Sequence, residues 1–239
     1  MMMTLRTETA EILKKASTAA ITGLLLKKHG FRMRAIGGVR PLDPANCRFA
    51  GPAFTLRYVP QREDLSTSGD IGNPSNAMLQ ATQQITAGSV LVMDMMGNGT
   101  VGGVGDVLTA SFKARGVAGI VSDGGMRDVG EITGLGMPVF CKGPAAPPSP
   151  SALMPIDIQR PISCGGVLIF PGDLIVADAD GVVVIPLHVA DEIGEQVAEK
   201  ELMESWIRDR VTEGEGIYGL YPPNEANLER YQIWKDSRD

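Results

Sequence analysis

Three charged side chains near a run of glycines, Asp106, Arg127 and Asp128, carry the chemistry this sequence is equipped to do. They lie in the stretch Gly97 to Asp128, GNGTVGGVGDVLTASFKARGVAGIVSDGGMRD. Carboxylates on neighbouring loops suit a hard divalent cation, and Mg²⁺ uses one or two protein carboxylates while keeping several waters. The planar fork of donors on Arg127 suits a substrate carboxylate or an enolate oxygen. Gly102, Gly103 and Gly105 let the backbone approach a ligand closely, and amides at the start of a helix from Val107 form an anion site. A purely structural reading stands beside this one. Asp106 then caps one helix, Asp128 caps the next, and Arg127 is their surface partner.

The elements that must position these residues follow from local pattern. Ser89 to Asp94 and Val117 to Val121 are short apolar runs with β-branched content, and both read as buried strands. Between them Asp106 precedes Val107, Leu108, Ala110, Phe112 and Ala114 at helical spacing, and Gly116 follows Lys113 and Arg115. This predicts an Asp N-cap, an amphipathic helix and a glycine stop. Strand, helix, strand at this length is a βαβ unit with parallel strands. Loop 95–106 and loop 122–128 therefore leave from one edge of the sheet, where open α/β sheets bind ligands.

The same stretch contains Gly97-Asn98-Gly99-Thr100-Val101-Gly102, a G-x-G-x-x-G after a strand, with Asp123 near the end of the next strand. That is the dinucleotide fingerprint. Against it, the first glycine lies beyond Asp94 rather than in a tight turn. Asp106 also starts a helix after the motif, with a negative charge where a pyrophosphate would be.

Composition narrows the classes. With 239 residues and 44% hydrophobic content the chain can bury one substantial core, so one domain, 1–239, is the default. A net charge of −6 indicates neither a nucleic-acid footprint nor a polybasic membrane segment. There is no long apolar run, and MMMTLRTETAEIL lacks a signal-peptide layout, so a cytoplasmic protein is expected. Cys47, Cys141 and Cys164 are scattered, which argues for a reducing compartment and against zinc. His29 precedes Gly30 at a helix end and His188 follows Pro186 in a turn; neither has partners for metal or catalytic work.

Along the rest of the chain, Thr7 to His29 reads as an amphipathic helix, broken near Thr22-Gly23. Ala53 to Val59 alternates as a strand, Gln61 to Asn76 is a polar surface loop, and Met78 to Ile85 is a helix. After Asp128 come a helix to Leu135, a stop at Gly136 and a strand from Met137 to Cys141, so the core spans about 50–188. The segment 143–150 holds four prolines and reads as a rigid connector; Lys142, just before it, is a Schiff-base candidate against the blander reading of a solvated amine. Val167 to Ile185 gives three apolar strands separated by turns, of which Asp178-Ala-Asp-Gly181 only superficially resembles a calcium loop. A long helix, Val189 to Glu213, carries Lys200, Glu204 and Arg208 as a ladder of i, i+4 charges, and an apolar aromatic tail, Ile217 to Pro223, is of the kind that packs on a neighbouring subunit.

Taken together, Gly105-Asp106-Val-Leu-Thr-Ala-Ser-Phe112, Ala114-Arg-Gly116, Asp123-Gly-Gly-Met-Arg127-Asp128-Val129, Cys164-Gly-Gly166 and Pro171-Gly-Asp-Leu-Ile-Val-Ala-Asp178 with Asp180-Gly-Val-Val183 resemble one family. It is the RraA-like family of 4-hydroxy-4-methyl-2-oxoglutarate aldolases, oxaloacetate decarboxylases and the regulator of ribonuclease activity A. The resemblance covers roughly residues 50 to 215 and keeps the interval from Asp106 to Asp128.

The resemblance implies an α/β fold, a swivelling-domain-like β/β/α sandwich with a parallel βαβ core, C-terminal hairpins and a long helix. It implies trimers or hexamers with active sites between subunits. The implied activity is that of a metal-dependent lyase, a class II pyruvate aldolase or oxaloacetate decarboxylase working on a small 2-oxo acid with Mg²⁺ or Mn²⁺. Asp128 would bind the metal, Asp106 would contact its water shell, and Glu204 of a neighbouring subunit would complete that shell. Arg127 would hold the substrate's oxo and carboxylate oxygens, and amides around Gly103, Val104, Gly105 and Asp106 its carboxylate. A pyruvate enolate is the common intermediate, stabilised by the metal as Lewis acid and by Arg127.

Two departures from the family pattern stand out. Ser17 to Gly23 lacks the acid, and Asn73 to Asn76 lacks the histidine, that deliver a proton in the aldolases, leaving Thr22 or a water to replace them. The loop from Arg62 to Ser75 and the proline run point to a differently shaped pocket, such as one for a sugar-acid-derived 2-oxo acid. The resemblance also carries an alternative, a non-catalytic protein that regulates a ribonuclease or another partner. That regulator lacks the acid after the arginine, whereas Asp128 is present. A nucleotide-cofactor enzyme, including the methyltransferase label sometimes attached to the family, rests on the glycine motif alone.

Overall fold

The computed structural model describes residues 7–65 and 72–238. Two helices open it, α1 (Thr7–Lys15) and α2 (Thr18–His29), separated at Ala16-Ser17. The expected break at Thr22-Gly23 is absent, because Ser17 is extended and α2 runs unbroken to Gly30, which closes it in the left-handed conformation. The buried carboxylate of Asp178 starts this helix, accepting from the Thr18 N–H at 2.9 Å and the Thr18 hydroxyl at 2.6 Å.

Next come β1 (Arg40–Pro41), the long β2 (Phe49–Pro60), α3 (Ala77–Gln84) and β3 (Val90–Asp94). Residues 66–71 of the expected surface loop lie outside the described residues. The βαβ unit follows as α4 (Asp106–Ala114) and β4 (Gly119–Ser122), and β3 pairs in parallel with β4 from Val90↔Gly119 to Met93↔Ser122. Then β5 (Gly125–Met126), α5 (Val129–Leu135), β6 (Val139–Cys141) and β7 (Gly143–Pro144) lead to β8 (Leu153–Ile158). The hairpins β9 (Ile162–Cys164) with β10 (Val167–Ile169) and β11 (Leu174–Asp178) with β12 (Gly181–Ile185) precede α6 (Leu187–Thr212) and α7 (Glu225–Asp236). His188 therefore lies in the first turn of α6 rather than in a turn. The tail holds a helix, α7, that its sequence pattern did not reveal.

The main sheet runs β1-β6-β4-β3-β2-β11-β12, with β8 also paired to β2. β2 is its organising strand. It pairs in parallel with β3, while its first residues meet β11 and its last meet β8. Both faces of the sheet are covered, which explains the unbroken apolar run in β3. Leu91 and Met93 pack under α3, α4 and α5 with Phe54, Leu56 and Phe112. Val90 and Val92 face the β9–β10 hairpin with Ile162 and Ile169. A third layer joins α1, α2 and α6 over β11 and β12, and Trp206, Ile207, Leu220 and Tyr231 fasten α7 to the end of α6. The architecture is the expected α/β sandwich with a parallel core, terminal hairpins and a long helix. Among the described residues no helix is long and apolar enough to cross a membrane.

Candidate active site

The loop from β3 to α4 is pinned by Asp123, which is 4% exposed. Its Oδ1 accepts from the Met95 N–H at 2.6 Å, and its Oδ2 from the N–H groups of Gly97 and Gly165 at 3.2 Å each. Burial raises this carboxyl above its ordinary range, opposed by those backbone donors. Three backbone donors thus occupy Asp123, which holds the loop together instead of standing free for a ribose hydroxyl. α4 also begins only after Gly105, beyond the glycine motif. The geometry speaks against a dinucleotide site.

Past this anchor the loop runs extended between two neighbours. The Gly102 N–H donates to the Pro147 carbonyl at 2.8 Å, the Ser149 N–H to Gly102 at 3.0 Å, the Gly103 N–H to Gly125 at 3.0 Å and the Arg127 N–H to Val104 at 3.0 Å. The proline-rich segment is thus one wall of the site, stitched to the glycine loop. Its prolines hold an extended course as far as Pro148, after which Ser149–Ser151 form a single 3-10 turn.

This stitching brings Asp106, Arg127 and Asp128 to one cavity of about 310 Å³, together with Gly102, Gly103 and Gly105. Asp106 and Arg127 are half-buried and Asp128 is exposed. Glycine is required at two of these positions by close approach. A β-carbon at Gly102 would run into the Arg127 side chain and lie 2.9 Å from the Ala145 carbonyl oxygen, and one at Gly105 would run into Asp128 Oδ2.

The helix-cap reading of the two aspartates does not hold. Asp106 is the first residue of α4, whose N-cap is Gly105, and no side chain caps that helix. Asp128 occupies the N-cap position of α5 with φ 50° and ψ 42°, a left-handed conformation, yet its side chain makes no cap hydrogen bond. Such backbone strain at a non-glycine residue persists only where the surroundings enforce it and gathers at functional sites. Nor is Arg127 their surface partner. Among the described residues, no hydrogen bond or ion pair joins the side chain of Asp106, Arg127 or Asp128 to another protein group.

The remaining expected residues fall elsewhere. Val104 is buried in the core and Gly103 has already given its N–H to Gly125, while the amides at the start of α4 have no partner within the helix and suit an anion. Glu204 lies on α6, bonded to Lys200 at 3.1 Å, and does not line the cavity of its own chain. Lys142 is exposed and donates to the Gly97 carbonyl at 2.7 Å outside this cavity, which removes the desolvated amine a Schiff base needs. The Thr22 hydroxyl is bonded to the Ala19 carbonyl at 3.0 Å and is not part of the site.

The cavity also holds residues that spacing did not single out. Tyr58 is buried, and its hydroxyl points to the Gly103 carbonyl at 3.4 Å. Burial pushes its phenol well above the usual range, so it stays protonated at neutral pH. It shares one face of β2 with Phe54 and Leu56, in the cluster that packs under the helices. A shift of register between Arg57 and Tyr58, where β2 meets β8, accompanies its placement at the cavity. Gln61, Asn76 and Ser149 add neutral polar groups, and Asn76 also caps α3 by accepting from the Met78 N–H at 2.9 Å.

Comparison with known proteins agrees with this architecture. The model of the RraA-like family, described as Aldolase/RraA, matches residues 9–184. A protein of Halalkalibacterium halodurans, named provisionally as a 4-hydroxy-4-methyl-2-oxoglutarate aldolase, is 37% identical over 177 residues, covering 72% of this chain and 78% of its own. A Burkholderia mallei protein with the same provisional name is 36% identical over 152 residues, 63% of this chain and 79% of its own. The crystal structure of Streptomyces coelicolor RraAS2, titled an unusual member of the RNase ES inhibitor RraA protein family, superposes with a TM-score of 0.76 at 36% identity, covering 85% of this chain and 97% of that one. On the match over residues 9–184, the chain belongs to the RraA-like family.

Proposed function

We propose that this protein is a divalent-metal-dependent lyase that breaks a carbon–carbon bond of a 2-oxo acid and releases pyruvate by way of its enolate, as an aldolase, an oxaloacetate decarboxylase or both. The observation that carries the reading is a half-buried guanidinium, Arg127, sharing one cavity with two carboxylates, Asp106 and Asp128, all three side chains without a partner among the described residues. A cation left without a counter-ion beside open helix amides is suited to an anionic substrate.

The donor set fits Mg²⁺ or Mn²⁺. Among the described residues no cluster of three or more His, Cys, Asp or Glu side chains exists, so one chain offers no closed metal cage. Two oxygen ligands in an open cavity suit an ion that retains most of its water. Asp128 would hold the ion, Asp106 its water shell, and Glu204 of a neighbouring subunit would contribute in an oligomer. When bound, the metal supplies Lewis-acid polarisation of the substrate's oxo group.

The chain's own residues do the rest. Arg127 orients the carboxylate and oxo oxygens and stabilises negative charge that grows on the oxo oxygen as the bond breaks, a term typically worth about 3 kcal/mol. The amides at the start of α4 favour the carboxylate end. Tyr58, held neutral by burial, keeps a polar hydrogen at the cavity floor without adding charge.

The test is pyruvate release from oxaloacetate, 4-hydroxy-4-methyl-2-oxoglutarate and the monocarboxylate 4-hydroxy-2-oxopentanoate with Mg²⁺, Mn²⁺ or chelator, on the wild type and Asp128→Ala. Metal-dependent release that falls at least a hundredfold in the variant is expected, on the order of other transition-state contacts. Inactivity with both metals, together with no Mn²⁺ binding by calorimetry, sinks the reading. It would favour the regulatory function that the likeness to RraAS2 suggests, checked by inhibition of a ribonuclease.

A further inference from the structure

We infer that the substrate is a monocarboxylic 2-oxo acid whose distal end is uncharged and largely apolar, a 4-hydroxy-2-oxoalkanoate, rather than a dicarboxylate. The inference rests on the lyase reading and concerns the part of the cavity that reading leaves unexplained. The polar groups needed to grip a 2-oxo acid lie together on the loops after β3 and β4. What faces them is different in kind.

Met78 and Leu79 on α3, Leu108 on α4, and Leu153 and Met154 on β8 line the cavity. Pro148, Pro150 and Pro155 extend that apolar surface. The uncharged polar groups there are those of Tyr58, Gln61, Asn76 and Ser149. Arg127 is the one cationic side chain among the described residues of the lining. Residues 66–71, Ser-Thr-Ser-Gly-Asp-Ile, contain no lysine, arginine or histidine to add another.

Charge balance points the same way. Counting Glu204 of a neighbouring subunit, the divalent ion, Asp106, Asp128 and Arg127 balance among themselves, so one substrate carboxylate is held by Arg127 and the α4 amides and no positive charge is left over for a second. A second carboxylate would be pressed against methionine, leucine and proline side chains. A charge moved from water to such a surface without a partner is strongly disfavoured. An alkyl group there is favoured, by about fourfold in affinity for each methylene it buries. At about 310 Å³ the cavity lies at the small end of ligand sites, which suits a short chain.

The reaction balances without a co-reactant. The 4-hydroxyl loses its proton and its carbon becomes an aldehyde carbonyl. The C3–C4 bond breaks with its electron pair passing to C3, and the resulting pyruvate enolate takes a proton at C3.

Two measurements test the inference separately from the lyase reading. The first compares pyruvate release, with Mn²⁺, from 4-hydroxy-2-oxopentanoate, 4-hydroxy-2-oxohexanoate and 4-hydroxy-2-oxoglutarate. The expected kcat/KM rises about fourfold with the added methylene and is at least thirtyfold lower for the dicarboxylate. The second is calorimetric binding of two compounds that carry no 4-hydroxyl, 2-oxohexanoate and 2-oxoglutarate, to the Mn²⁺-loaded protein. Tighter binding of the monocarboxylate is expected even where turnover is absent, and the same comparison on the metal-free protein, where Arg127 and the α4 amides still hold one carboxylate, gives the same order if the lyase reading fails. Equal or better use and binding of the dicarboxylates overturns the inference while leaving the lyase reading intact. Leu79→Arg supplies the missing cation and is expected to reverse the preference by at least tenfold; an unchanged preference in a folded variant also counts against the inference.

Discussion

A β-carbon placed on Gly105 would run into Oδ2 of Asp128, and this close approach fixes where that carboxylate sits relative to the start of α4. Gly105 has an extended φ of −111°, so its requirement is one of space and not of backbone conformation. Gly105→Ala is expected to push Asp128 aside and weaken Mn²⁺ binding at least tenfold by calorimetry, while circular dichroism stays that of the wild type.

Gly102 stands in the same relation to Arg127. Gly102→Ala is expected to displace the guanidinium and cut kcat/KM for the 2-oxo acid on the order of a hundredfold, the usual cost of misplacing a positioning group by about 1 Å. Mn²⁺ affinity should change little, which separates this variant from Gly105→Ala.

Asp123 organises the loop without touching the cavity. Replacing one acceptor oxygen by an amide in Asp123→Asn sets an N–H donor against backbone N–H donors inside the protein. A loss of about 2–3 kcal/mol in urea unfolding is expected, with the midpoint moving and the slope preserved.

The docking of α7 should depend on acid. Glu199 accepts from Tyr231 at 2.9 Å and from Lys235 at 2.5 Å, and the Lys235 hydrogen bond lowers its carboxyl below the ordinary value of 4.5. A carboxyl lowered in the folded state contributes stability that is complete above its unfolded pKa and is lost as pH falls below 4.5 through the folded value. Because the pair is partly exposed, the effect should be below about 1 kcal/mol. Fluorescence of Trp206 and Trp234 followed from pH 6 to 3 should show the loosening, and Glu199→Gln should remove that step.

The thiols should be inert in the folded protein. Cys47, Cys141 and Cys164 are buried, and burial raises all three, Cys141 to about 11. Little thiolate is present near pH 8, so a disulfide reagent should react slowly until denaturant is added, then with all three cysteines.

The sequence by itself determined the βαβ core, the edge from which its loops leave, and the grouping of Asp106, Arg127 and Asp128. Those depend on short-range signals: apolar runs for β3 and β4, helical spacing for α4, and glycines at Gly116 and Gly136 that end helices in the left-handed conformation. The tertiary structure decided what such signals do not encode. Whether Asp128 caps a helix or turns into a cavity depends on Gly105 lying beneath it, and whether the prolines are a linker or a wall depends on Gly102 bonding to Pro147 and Ser149. Tyr58 becomes a cavity residue because Leu153, Met154 and Pro155 of β8, a strand far from it in sequence, line the same cavity. α7 escaped notice because its stability comes from the contact of Tyr231 with Trp206 rather than from an apolar stripe of its own. Propensity and periodicity act over a few residues, whereas these outcomes are set by contacts between segments that only the folded chain brings together.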